Sequence, residues 1–385
     1  MKKILFVTCR YPYPTTTGDA LRANKQLNEL KKNNIVDLFC LESPLTESKD
    51  LENDLNKVFI NKLNKKNKVI NVIKSFFLRP LQCAIYKDKR VMLKLESILL
   101  NNDYDMVYFQ LVRLSDYVQL ASKIKDTKRK KYKILLDFVD SLSLNMLNRS
   151  NSETFIKKLI FRRESKLLLR EEKKLLDISD VNIIISRRDA DSICKDRFYI
   201  LPNGVDRIPE IKKNKKSPQC NLVFFGNMAY YPNVKAAVNL VSKIYSGLDK
   251  NNYRVHIIGA NTASEVLALE KYDGVKVHGF VDDIYSLLNE MDISVFPIYD
   301  GSGMQNKVLE SFMIKLPVIT TSIVIDGFEC ENHCALIANS TTEFIFKINE
   351  LNENKKLKNN IVNNAKKLAD CKYNWQGINI LISKL

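Results

Sequence analysis

Short, nearly unbroken apolar runs alternate along this chain with longer stretches of helical periodicity. Lys2 to Thr8, Ile35 to Leu41, Met106 to Phe109, Lys133 to Phe138 and Val181 to Ser186 lack the polar alternate of a half-exposed strand, so they read as strands buried on both faces. A helix is predicted from near Asp19, its cap, with Leu21, Leu27 and Leu30 at helical spacing. Residues 45 to 100 read as mixed helix with hairpin-like connections around the first sheet. A long charged helix is predicted over about Ser152 to Leu176. The second half repeats the alternation with strands at Leu222 to Phe225, Val255 to Ile258, Val275 to Val277, Ile293 to Phe296, Val318 to Thr320 and Ala335 to Ile337. Strands separated by helices predict an α/β chain with parallel, doubly wound sheets.

The stretch from Phe296 to Thr320 carries the most specific chemistry. It reads as strand, glycine loop (Asp300-Gly301-Ser302-Gly303), helix and strand, with Met304, Val308, Leu309 and Phe312 on one helix face and Lys315-Leu316-Pro317 as the stop. A helix opening directly after two glycines presents unpaired backbone N–H groups and its positive dipole end, which suits a phosphate. Glu310, two turns along, places a carboxylate where it would meet the hydroxyls of a ribose whose phosphates sit at the helix start. A plain α/β turn with a surface glutamate remains the alternative. At the carboxyl end of the strand in LLDFVDS stand Asp137 and Asp140, the edge of an open parallel sheet where ligands bind. Asp140 equally reads as the cap of a following helix.

The segment GSGMQNKVLESF followed by PVIT resembles the donor-binding segment of the retaining GT-B glycosyltransferases, family 4 (glycosyl transferases group 1), and DFVDS is similar to a polysaccharide-associated bacterial subgroup of it. The resemblance covers nearly the whole chain. It implies two Rossmann-like domains facing an interdomain cleft: residues 1–203 on the acceptor side, 204–370 binding the nucleotide-sugar, and a tail, 371–385, returning across the junction. LPNGVD, Leu201 to Asp206, matches the family's crossover, with the linker between Gly204 and Pro218. Gly18 would approach the donor phosphates, Gly226 and Asn227 would lie near the diphosphate, and Gly259 follows the next strand. The loop from Gly279 to Asp282 would hold the nucleobase through backbone groups, Val281 and Asp282 among them. Gly303, Met304, Gln305 and Asn306 would donate to phosphate and Glu310 would bind the ribose.

Two departures stand out. Where the family carries a glutamate against the donor sugar this chain has Ser302, for which Asp300 would substitute only in a longer loop. Asn227 stands where an arginine and a lysine are usual, and Lys307 would supply the missing charge. Asp137, Asp140 and Lys307 are the candidate catalytic residues. The implied reaction is transfer of a sugar, with retention, from a nucleotide-sugar to a glycan or lipid-linked acceptor in bacterial surface polysaccharide assembly, with no metal and no cofactor. A non-hydrolysing nucleotide-sugar epimerase and a non-catalytic nucleotide-sugar-binding subunit share the fold and remain alternatives.

Length and charge bound this picture. With 385 residues and 45% hydrophobic composition the chain is globular and suits two domains. No apolar run approaches the ~20 residues of a membrane span, and no secretory leader is legible, so a cytoplasmic protein is expected. The eight cysteines form no disulfide framework and are expected reduced; Cys330, His333 and Cys334 lack the second ligand pair of a zinc site. The net charge of +17 reflects a lysine-rich composition, but lysines cluster in Lys62 to Lys74, Lys123 to Lys133 and Lys157 to Lys174. Such an asymmetric basic surface would attract an anionic membrane surface. No nucleic-acid recognition motif accompanies it, so no nucleic-acid partner is expected.

Overall fold

In the computed structural model the chain divides into two units, Met1–Asn203 together with Ile378–Leu385, and Gly204–Gly377. The structure describes residues 1–15, 17–42, 55–151, 153–208, 218–300, 303–330 and 333–384. The predicted linker lies mostly outside the described residues.

The first unit is built on β1 (Lys3–Thr8), β2 (Ile35–Cys40), β3 (Lys57–Ile60), β4 (Met106–Gln110), β5 (Lys133–Asp137), β6 (Val181–Ile184) and β7 (Tyr199–Ile200). Among the described residues these form one sheet in the order β3-β2-β1-β4-β5-β6-β7, every pair parallel. The helices are α1 (Gly18–Leu30), α2 (Lys65–Ser75), α3 (Leu81–Ala84), α4 (Lys89–Asn101), α5 (Ser115–Thr127), α6 (Leu142–Asn151), α7 (Phe155–Ile178) and α8 (Arg187–Ile193). The hairpins expected between 45 and 100 are absent from the described part: β3 joins the sheet parallel to β2, with Asp37 opposite Lys57. Its residues KVFI are half-exposed on an edge, which hides the strand from a search for buried apolar runs. The N-cap position of helix α1 is Thr17 rather than Asp19, and its side chain makes no capping hydrogen bond. Asp19 lies in the first turn, where a negative charge complements the helix dipole.

The second unit contains β8 (Cys220–Phe225), β9 (Tyr253–Ile258), β10 (Val275–Gly279), β11 (Ile293–Phe296), β12 (Val318–Thr320) and β13 (Leu336–Ile337) in the order β10-β9-β8-β11-β12-β13, again all parallel. Its helices are α9 (Tyr231–Asn239), α10 (Ser264–Leu267), α11 (Ile284–Leu288), α12 (Asn306–Met313), α13 (Ser322–Ile325), α14 (Thr341–Glu353) and α15 (Lys355–Lys372); α16 (Trp375–Lys384) begins here and ends among residues grouped with the first unit. The chain starts in the middle of the sheet, winds outward to β10, then crosses back to β11. This reversal leaves a crevice between β8 and β11 at their carboxyl ends, the place where open α/β sheets bind ligands. The apolar core continues to its rim, where the Phe225 and Phe296 rings meet at 5.5 Å.

A buried ion pair fixes the corresponding edge of the first unit. The Arg22 side chain, wholly out of solvent, donates from Nε to Asp137 Oδ2 at 2.7 Å and from Nη2 to Oδ1 at 3.2 Å. Its Nη1 reaches the Pro202 carbonyl at 3.2 Å and Asn203 Oδ1 at 3.1 Å. Gln26 Nε2, the Tyr108 hydroxyl and the Val139 N–H also donate to the Asp137 carboxylate. The expected contact of Asp137 with a sugar or acceptor is therefore corrected. A fully buried carboxylate that already accepts from five groups pins α1, β4 and β5 together and has no surface to offer. Removing it leaves a buried guanidinium uncompensated, so Asp137→Ala should cost on the order of 3–5 kcal/mol in urea unfolding. A loss under about 1 kcal/mol would show that the pair does not hold this edge together.

Candidate functional site

Three strand-end loops stack at the carboxyl edge of the second sheet. Gly226 N donates to the Ile258 carbonyl, Met228 N to that of Ala260, and Gly259 N to that of Gly279 at 2.8 Å. A Cβ on Gly259 would lie 1.7 Å from the Gly226 carbonyl oxygen, so only glycine lets the first two loops touch. Gly226 has φ +145°, and a Cβ there would come within 3.2 Å of Lys307 Nζ. The missing side chain thus leaves the loop open beside the one ammonium that α12 turns toward it.

Lys307 is 8% exposed. Its Nζ donates to Asn233 Oδ1 on α9 at 2.5 Å and lies 4.9 Å from the Phe224 ring centroid and 5.8 Å from that of Phe296. Asn233 is held in turn, because its Nδ2 donates to the Asn227 carbonyl at 2.9 Å. The lysine stem is fixed through its helix: Ser311 Oγ donates to the Lys307 carbonyl and meets Ser294 Oγ of β11 at 3.0 Å, while Val308, Leu309 and Phe312 fill the core. Burial pushes the Lys307 ammonium down to about 7, opposed by Glu310. Burial pushes the Glu310 carboxyl up to about 6, opposed by Lys307. The pair is one helical turn apart, and each charge is poorly solvated without a ligand. Tyr285 on α11 completes the group; burial raises its phenol, and Glu310 and Asp206 add to the shift.

This arrangement is suited to an elongated ligand that is anionic at one end and rich in hydroxyls at the other. An arriving anion restores the charge of Lys307, and Glu310, which keeps some surface, accepts hydroxyl donors with charge assistance. The structure brings Gly226, Asn227, Gly259, Lys307 and Glu310 to one sheet edge. Helix α12 begins at Asn306, later than the glycine loop suggested, with extended Gln305 as its cap residue. Gly303, at φ 71°, and Met304 are buried ahead of it, and Gln305 and Asn306 are partly exposed. Ser302 and Gly301 lie outside the described residues. Asp300 is no substitute carboxylate: it is buried and accepts from Lys235 Nζ at 2.8 Å. In the loop after β10, Val281 is partly exposed and Asp282 exposed, and Asp283 caps α11 through Ser286 N.

The remaining candidates belong to the first unit. Gly18 is the exposed first residue of α1. Asp140 is half-buried, and the next residue, Ser141, accepts the Leu144 N–H of α6 on its Oγ at 3.1 Å. The charge of Asp140 adds to the burial that pushes Glu172 up to about 7. Cys330 and Cys334, expected as thiols, are joined as a disulfide. No cluster among the described residues could hold a metal ion. Sequence reasoning missed Asn233 and Tyr285. Asn233 shares a helical stripe with buried Ala236, Ala237 and Leu240, and a lone amide on an apolar stripe was the available signal.

Residues 219–354 match the family model for glycosyl transferases group 1. No curated protein matches the sequence. Among solved structures, sucrose-phosphate synthase from Thermosynechococcus elongatus is similar at TM-score 0.72 and 11% identity, over 100% of this chain and 98% of that one. HepE from Anabaena, in complex with UDP and glucose, gives 0.66 and 14% over 100% and 99%. WaaG, a glycosyltransferase involved in lipopolysaccharide biosynthesis, gives 0.66 and 12% over 99% of each chain. At such identities the likeness shows the fold. Residues 219–354 thus match the glycosyl transferases group 1, in a chain whose fold is that of the GT-B proteins.

Proposed function

We propose that this group 1 glycosyltransferase moves a sugar from a nucleotide-sugar to a glycan or lipid-linked acceptor, with retention of anomeric configuration, in the assembly of a bacterial surface polysaccharide at the cytoplasmic face of the cell membrane. The observation that carries the donor part is the Lys307–Glu310 pair beside Gly226 at the switch point of the second sheet. Lys307 would neutralise the diphosphate and Glu310 would accept the ribose hydroxyls. A neighbour of the same fold solved with UDP and with UDP-glucose supports a uridine nucleotide as the first donor to try. WaaG supports the surface-polysaccharide setting. In the reaction the bond from the anomeric carbon to the phosphate oxygen breaks and the bond to the acceptor oxygen forms on the same face. The acceptor proton passes to a phosphate oxygen, and Lys307 stabilises the charge that develops on the leaving diphosphate. Asp140, half-buried at the strand end of the first unit, is the candidate for the acceptor side.

The pH dependence follows from the pair. UDP-glucose carries a doubly esterified diphosphate of constant charge between pH 5 and 9, so changes in its affinity report on the protein. Above about 7 the empty protein sheds the Lys307 proton and binding must take one up, which weakens affinity by up to about tenfold per pH unit. Below about 6 Glu310 gains a proton and loses charge-assisted acceptance. Affinity should peak between these values, and Lys307→Met should lose the alkaline limb; calorimetry that finds native affinity flat to pH 9 would contradict the assignment.

Glu310→Gln keeps the shape and removes the charge, at about 1–3 kcal/mol. Affinity for free UDP and for UDP-glucose should fall together by roughly 5- to 150-fold, since both carry the ribose. Unchanged UDP affinity in a folded variant would reduce Glu310 to a structural role. Turnover of UDP-glucose or another nucleotide-sugar by the native protein separates a transferase from a non-catalytic binding subunit.

A further inference from the structure

Two adjoining segments of the first unit carry large apolar side chains that nothing among the described residues covers. Helix α2 buries none of its residues. Val69, Ile70 and Ile73 on it are exposed, and Phe77 and Leu78 just past its end are 81% and 80% exposed. Lys66, Ile70, Ile73 and Phe77 follow helical spacing and form one stripe. The start of α7 repeats the pattern. Phe155, Ile156 and Leu159 are exposed, and the stripe through Phe155 and Leu159 continues as the exposed cations Arg162, Lys166 and Arg170.

Arg163 ties the two segments together. Its guanidinium lies 5.0 Å from the Phe76 ring centroid and donates to the carbonyls of Ser75 at 3.3 Å and Arg79 at 3.4 Å. The neighbouring Glu164 accepts from Leu81 N and Gln82 N at 3.0 Å. The contacts of α2 with the unit are polar ones, through Lys68 and Asn71, and leave its apolar side chains unpacked; exposed apolar surface of this kind marks an interaction surface. The charge around it decides the partner. Lys65, Lys66 and Lys74 on α2 and Arg162, Lys166 and Arg170 on α7 are exposed, and none of their side chains is ion-paired among the described residues. The cluster from Lys123 to Lys133 differs, since Lys125 is paired with Asp180 and Lys130 with Asp103.

We propose that the α2–α7 surface docks on an anionic lipid bilayer, with Ile73, Phe77, Leu78, Phe155 and Ile156 entering the interfacial layer and the flanking lysines and arginines meeting lipid phosphates. Apolar insertion plus attraction to anionic headgroups is the combination that gives stable peripheral binding. No helix among the described residues is long and apolar enough to cross a membrane, so the contact lies in the plane of the surface. This inference extends the proposed function, resting on that part of it which puts the acceptor on a lipid.

The test is sedimentation of the full chain with vesicles of phosphatidylglycerol and phosphatidylcholine, and with phosphatidylcholine alone. The native protein should bind the anionic vesicles at low salt, lose binding as salt rises, and bind neutral vesicles at least about tenfold more weakly. Phe77→Ser with Leu78→Ser, and separately Lys65→Glu with Lys66→Glu, should each weaken anionic-vesicle binding by about tenfold or more. Both variants should keep native UDP-glucose affinity in vesicle-free calorimetry, which shows that they are folded. Absent native binding at low salt, or binding that neither variant weakens, overturns the proposal. A Phe77/Leu78 variant that binds vesicles normally but loses a dimer present in the native protein would assign the surface to a second copy of the chain. Failure of native UDP-glucose binding would count against the donor reading alone and leave the vesicle result standing.

Discussion

Lys307 sits almost out of water, its ammonium facing an amide oxygen and the rings of Phe224 and Phe296. Such a position is costly for a charge unless an anion arrives to share it. The surrounding structure serves this one constraint. The serine pair between α12 and β11 fixes the lysine's backbone, Asn233 aims its tip, and the glycines at 226 and 259 keep the loops close without closing over it. The parallel winding explains why all this lies at one edge: β8 and β11 are neighbours whose following segments turn away from each other, so the groups at their ends face a shared crevice.

The first unit solves the same topological problem with the opposite result. At its carboxyl edge a guanidinium and a carboxylate meet within a shell of amide, carbonyl and phenol groups, and the cluster is saturated. Buried ion pairs seldom add net stability, but removing one partner is severe. The pair therefore sets geometry, holding α1 and the strand ends in register with the segment at Pro202 and Asn203. Asp140, just beyond it, is half-buried and lies outside this cluster.

The central strands of both sheets were legible because parallel strands are buried on both faces and spell continuous apolar runs. The short strands β3 and β7 were not, since half-exposed edges carry no such run. Helix α6 was legible only as the helix that Asp140 would cap, since the polar residues of LSLNMLNRSN blur its period. Glu310 and Lys307 could be read from one local segment, because strand, loop and helix are contiguous there. The role of Asp137 could not, for a carboxylate at a strand end reads the same whether it faces a ligand or an arginine supplied by a distant helix. Asn233 and Tyr285 reach the site from α9 and α11, and only the folded sheet brings those elements to α12.

The account stands on where a nucleotide's phosphates lie. A crystal structure of the chain with UDP-glucose bound tests this most directly. The prediction is diphosphate oxygens at about 3 Å from Lys307 Nζ, the ribose hydroxyls on the Glu310 carboxylate, and the Gly226 loop against the phosphates. A nucleotide bound elsewhere, with Lys307 still donating only to Asn233, would contradict it.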